Sequence, residues 1–312
     1  MNTKTIDGVF GLAVADALGV PAEFKSRKSL KENPITDMVG YGTHHQPAGT
    51  WSDDTSMTIA TMDSIIDKQG INYDDMMVKF SDWMHTAKYT AGGVFFDIGG
   101  TTRSAIHNFE RGNMALYCGE PYESANGNGS LMRILPVVLY CYYKKLSHKD
   151  EVEIINNASS ITHAHEISKL GCMIYADYIK EILKGNSLLQ AYDNLNSQHY
   201  SRYYKPDTVY VYQRVLDGSL ANLKEDEIHS SGFVVHTLEA AIWCNLTSNS
   251  YKEAVLKAVN LGDDTDTVAA VAGSIAGIYY GYESIPESWR NTLINREYLM
   301  DLCQKFDEYL GS

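Results

Sequence analysis

Positive charge is in short supply: 26 Lys and Arg stand against 39 Asp and Glu, a formal net charge of −13 over 312 residues. That deficit disfavours a protein that grips a phosphate backbone regardless of sequence, so no such nucleic-acid binding is expected. A nucleotide-like ligand held in a pocket stays open. Cysteine is sparse, and the five present (Cys118, Cys141, Cys172, Cys244, Cys303) follow no CxxC spacing. An odd, scattered set reads as reduced core thiols in a cytoplasmic protein. No N-terminal signal segment and no apolar run long enough to span a membrane is visible, so a soluble chain with no membrane partner is expected. Sustained alternation of β-branched residues is missing too, while segment after segment carries helical period. The expected class is therefore all-α, a compact orthogonal helical bundle with long functional loops. Length alone allows two domains, yet no linker or shift in composition divides the chain, and one domain over residues 1–312 is expected.

What is present in excess is carboxylate at helix starts. Leu261-Gly262-Asp263-Asp264-Thr265-Asp266-Thr267 places three carboxylates in four residues, directly before an apolar Ala- and Gly-rich run. Asp and Thr there read as a helix N-cap and first turn, and the run as a buried helix with close neighbours. Capping uses one or two carboxylates. A third at a buried helix end is negative charge without water, which a cation relieves. Oxygen donors alone suit Mg²⁺ or Mn²⁺ better than Zn²⁺. Thr50-Trp51-Ser52-Asp53-Asp54-Thr55 repeats the pattern before a helix with Met57, Ile59, Met62, Ile65 and Ile66 on one face. Two such openings, about two hundred residues apart, are expected to face each other across a shared cation. Each on its own would pass for an over-decorated cap.

Other segments carry weaker signals. Val9 to Leu18 is apolar and small, and Gly19-Val20-Pro21 stops it, leaving Glu23 on a loop just past a buried helix end. Residues 25 to 49 read as a long loop. Asp97-Ile98-Gly99-Gly100-Thr101-Thr102 lets backbone N–H groups approach a ligand oxygen, unless it is a plain turn with a cap. Gly127-Asn128-Gly129-Ser130-Leu131-Met132, leading into an apolar run from Ile134 to Tyr143, has the makings of an anion site for a diphosphate. It is not a Walker A loop. Of His163 and His165, one is expected to contact a ligand, with a satisfied surface histidine as the alternative. Tyr200, Tyr203, Tyr204, Tyr210 and Tyr212 are either a wall for an aromatic ligand or packing, and packing is favoured.

Taken in order, these motifs resemble the ADP-ribosylglycohydrolase family. They are Gly11 to Glu23, Ser52 to Thr55, Asp97 to Ala105, Gly127 to Arg133, Thr162-His163, Thr237 to Trp243 and Gly262 to Thr267. The resemblance spans nearly the whole chain and implies an all-α fold with a binuclear metal cleft. It implies two Mg²⁺ ions, replaceable by Mn²⁺, held by Ser52, Asp53, Asp54, Asp264, Asp266 and Thr267. Glu23 and Asp97 would be catalytic. Gly99, Gly100, Thr101, Gly127, Asn128, Gly129, Ser130, Met132, His163 and Phe233 would bind substrate. The implied reaction releases ADP-ribose from a modified protein side chain, arginine first, in a monomeric enzyme; the alternatives are another ADP-ribose linkage (on serine, a nucleic-acid base or a small metabolite) and a non-catalytic ADP-ribose binder. Ser52 stands where the family has Thr and keeps the hydroxyl. Phe233 stands where many members carry Tyr, which removes a hydroxyl from the leaving-group side.

Overall fold

A computed structural model describes residues 3–195 and 200–311, and sixteen α-helices run through them with no strand among the described residues. Only isolated bridges join Glu120 to His163 and Gly127 to Phe233. The class is all-α, as the helical periods lead one to expect.

Two helices form the axis. Thr5–Gly19 is buried along almost its whole length, and so is Thr265–Tyr280. They lie side by side, because small residues let the backbones approach. A methyl group on Gly11 would stand 2.3 Å from the Gly273 carbonyl oxygen, and one on Gly19 would stand 2.3 Å from Asp266 Cα. Since Gly11 meets Gly273 and Gly19 meets Asp266, the helices are antiparallel. The end of the first therefore abuts the start of the second, and Thr265 Oγ1 donates to the Gly19 carbonyl at 2.8 Å. One apolar cluster surrounds this pair and reaches from Val9 to Leu310.

Two expectations need correction. Thr5–Ala22 is, by length and composition, long and apolar enough to cross a membrane, with a mean hydropathy of 1.3, contrary to the expectation that no such run exists. In the fold 89% of it is buried, the place of a core helix. Residues 25 to 49 are not wholly loop either: Arg27–Glu32 is helical, with Ser26 accepting from Ser29 N as its cap. Six residues are too few for periodicity to reveal.

The close axis yields a test. In Gly273→Ala the new methyl would lie 2.3 Å from the Gly11 carbonyl oxygen and 2.4 Å from Ala15 Cβ. Neither helix can yield easily in a packed core, so a loss of about 1–3 kcal/mol in unfolding free energy is expected. Urea unfolding measures it, and an unchanged midpoint would refute the close contact.

Candidate metal centre and cleft

The end of the first helix, the start of Asp53–Lys68 and the start of Thr265–Tyr280 meet at one place. Asp16, buried in the first helix, accepts Ser52 N at 2.9 Å, Thr55 N at 3.1 Å and Thr55 Oγ1 at 2.6 Å. It thus caps the neighbouring helix from outside and holds the Ser52–Thr55 turn in register. Ser52 Oγ caps the same helix through Asp54 N, at 3.2 Å. With both duties filled by others, Asp53 and Asp54 are free for something else. Asp264 occupies the N-cap position of its own helix without capping it. Instead its Oδ2 accepts from Asn128 Nδ2 at 2.8 Å.

These carboxylates are close together. Asp16, Asp54 and Asp266 each bring an oxygen within 4.8 Å of the others, and so do Glu23, His44, Asp97 and Asp266 with one donor atom apiece. Asp266 belongs to both groups. Burial, and then the neighbouring carboxylates, push Asp53, Asp54 and Asp266 well above the ordinary carboxylate range. Glu23 is pushed up to about 7 by burial, against the hydrogen bond from His44 and with repulsion from Asp97 and Asp264. His44 is raised in turn, chiefly by its hydrogen bond to Glu23.

Asp54 Oδ1, Asp264 Oδ1 and Asp266 Oδ2 are buried with no hydrogen-bond partner among the described residues. Buried polar atoms are normally satisfied, so three orphaned carboxylate oxygens in one cluster fit a cation. The Ser52 and Thr267 hydroxyls stand beside them, 2.9 and 3.3 Å from Asp54 Oδ2. An all-oxygen set of this kind suits a hard divalent cation.

A cavity of about 320 Å³ opens over the cluster. Its walls include Glu23, Asp53, Asp97, Asp264 and Thr267, with Gly99, Gly100, Thr101, Gly127, Asn128, Gly129, Met132 and His163 opposite. Ser52, Asp54 and Asp266 lie beneath that floor. Ser130 does not reach the cavity: it is fully buried, 2.9 Å from Ser159 Oγ, and a turn through Arg133 separates it from the helix Leu135–Tyr143. Phe233 is absent from the lining as well, its ring packed edge-on against His236 at 5.2 Å.

His165 turns away from the cavity, caps its helix through Ile167 N and meets Asn126. Tyr200, Tyr204 and Tyr212 are buried packing, while Tyr203 and Tyr210 are exposed; none lines the acidic cavity. The lining also includes Phe24, Ile98, Thr102 and Gly232, and His44 hydrogen-bonds Glu23 at its edge. Nothing in the sequence marks His44 or Phe24, whereas Ile98 and Thr102 fall within the Asp97 motif and Gly232 just before a helix start. A methyl on Gly232 would stand 2.9 Å from Asp264 Oδ2.

An all-α fold with a carboxylate cluster beneath a glycine-walled cleft is the setting of a hydrolytic enzyme site. The family model described as ADP-ribosylglycohydrolase matches residues 2–311, and the chain belongs to that family of enzymes. ADP-ribosylarginine hydrolase Tri1 of Serratia proteamaculans is 32% identical, covering 97% of this chain and 78% of its own. The ADP-ribosyl-[dinitrogen reductase] glycohydrolase of Rhodospirillum rubrum is 26% identical over 94% of this chain and 91% of its own. A solved structure described as an ADP-ribosylglycohydrolase-related protein complex superposes with a TM-score of 0.82 at 28% identity, covering 99% and 98% of the two chains.

Proposed function

We propose that this chain hydrolyses the bond between ADP-ribose and a modified protein side chain, arginine above others, using two divalent cations, Mg²⁺ by preference. The observation that carries the proposal is the set of orphaned oxygens on Asp54, Asp264 and Asp266 beneath a cleft with glycine walls. The similarity to hydrolases named for ADP-ribosylarginine and ADP-ribosyl-[dinitrogen reductase] supports the substrate class.

Ser52, Asp53, Asp54, Asp264, Asp266 and Thr267 would hold the cations. Bound there, divalent ions supply anchorage for ribose hydroxyls and acidify a water. Cleavage at the anomeric carbon passes through an oxocarbenium-like state, which nearby carboxylates favour. Glu23 and Asp97 line the cavity, and one of them would accept the proton of an attacking water. The His44 hydrogen bond orients the Glu23 carboxyl. Gly127, Asn128 and Gly129 would receive the diphosphate and His163 the nucleotide side. The enzyme would act as a single domain and a monomer in the cytoplasm, where five buried free thiols stay reduced.

A guanidinium is permanently charged and is drawn to a cleft with surplus carboxylate. ADP-ribosyl-arginine is therefore expected to be cleaved faster than ADP-ribosyl-serine, with free ADP-ribose as product. Parallel assays of released ADP-ribose and phosphate on both substrates test this. Equal or reversed rates would overturn the arginine preference, and release of phosphate would overturn the glycosidic reaction.

A further inference from the structure

Behind the glycine loop lies a buried cation. Arg133 is fully buried and forms no ion pair among the described residues. Its guanidinium lies 4.9 Å from the centre of the Phe80 ring, and one nitrogen, Nη2, donates to the Ala158 carbonyl at 2.9 Å and to Thr162 Oγ1 at 2.8 Å. Nε and Nη1 have no hydrogen-bond partner among the described residues. The Thr162 hydroxyl stands 2.9 Å from Nδ1 of His163, the buried histidine in the cavity wall.

The proton on each bond can be assigned. Arginine only donates, so Thr162 Oγ1 accepts from Arg133. The threonine hydroxyl must then place its own proton elsewhere, and among the described residues His163 Nδ1 is the acceptor within reach. A buried hydroxyl proton left unbonded would be costly. Nδ1 thus receives a hydrogen bond and carries no proton. The other ring nitrogen has no partner among the described residues and faces the loop: methyl groups built on Gly127 and Gly129 would each stand 3.4 Å from Nε2. Those glycines keep the approach open.

We propose that Arg133 and Thr162 form a relay that fixes His163 in the tautomer with its proton on Nε2, presenting an N–H donor to an anionic ligand oxygen in the cleft. Arg133 and Thr162 are positioning residues; only His163 touches the ligand. Burial, with Arg133 adding to it, pushes His163 down to about 3, so the ring stays neutral and its tautomer decides whether it donates or accepts. The ligand class rests on the function proposed above, whereas the tautomer does not.

Two measurements test the relay. Nitrogen-15 NMR of the ligand-free protein should show the His163 Nε2–H form; an Nδ1–H form would overturn the proposal outright, whatever the substrate. Thr162→Val removes the hydroxyl at nearly constant shape. It should lose the single-tautomer signature and weaken ADP-ribose binding about tenfold, the scale of one charge-assisted hydrogen bond. Thr162→Ser should restore both. Unchanged tautomer and affinity in a folded Thr162→Val would refute the relay. If that variant does not fold, the wild-type spectrum alone decides. Absence of ADP-ribose binding to the wild type would count against the proposed function, with the tautomer still judging the relay.

Discussion

Removal of divalent cations by EDTA is expected to abolish turnover and to lower the unfolding midpoint, and Mg²⁺ or Mn²⁺ is expected to restore both. Asp53, Asp54, Asp264 and Asp266 are all buried or nearly so, and all are raised from the ordinary carboxylate range, burial first. Without a cation the fold holds this charge only by leaving carboxyls protonated or in repulsion. A cation bound by the folded chain and not by the unfolded one stabilises by mass action, about 2.7 kcal/mol at a hundredfold excess over its dissociation constant. For a chain of this size that raises the midpoint by several degrees. Asp264→Asn should lose both the thermal shift and the activity. Monovalent salt at matched ionic strength is the control, because screening also relieves repulsion. A thermal scan indifferent to divalent ions, with activity surviving EDTA, would reduce both acidic clusters to helix caps.

Asp97→Asn is expected to lower turnover by about two orders of magnitude, the usual cost of losing a general base. Stability should hardly change. Asp97 sits at φ +53°, in the left-handed region that asparagine tolerates as readily as aspartate, so the backbone is kept. The carboxylate is held above its ordinary range, chiefly by burial, so replacing it with a neutral group removes no net stabilising charge. Steady-state rates on ADP-ribosyl-arginine together with a melting curve decide the matter. Full activity would remove Asp97 from the mechanism.

The helical class was legible because periodicity is a local signal; of the face Met57, Ile59, Met62, Ile65 and Ile66, all but the half-buried Ile66 are buried, though the helix from Asp53 to Met62 is buried on every side. The acidic openings at Ser52 and Gly262 were legible for another reason: both are rich in Asp at a helix start, and the Gly262 one contains more carboxylates than a cap can use. Their meeting in space depends on the close packing of Gly11, Gly19 and Gly273, which composition suggests but cannot align. His44 was invisible, lying in a stretch without period. It reaches Glu23 because Thr43 N donates to the Pro21 carbonyl and Thr43 Oγ1 to the Glu23 carbonyl, contacts made across a turn rather than along a helix. Asp16 was seen within a motif, yet its service to a neighbouring helix shows only in three dimensions. Ser130 and Phe233 show the converse. Ser130 sits in the right motif and Phe233 just before a helix start, but Ser130 is drawn inward by Ser159, and Phe233 packs its ring against His236.

The antiparallel axis also sets a timetable for synthesis. Gly11 and Gly273 are about 260 residues apart, and a ribosome adding about 5–20 residues per second needs roughly 13 to 52 s to travel between them. Throughout that interval Val9, Phe10, Val14 and Leu18, all fully buried in the finished fold, await the helix that covers them. The acidic floor likewise cannot assemble before Asp264 and Asp266 have been made. A chain halted short of Thr265 would be no feeble enzyme; it would be an apolar helix seeking other cover, and so a client for chaperones and proteases.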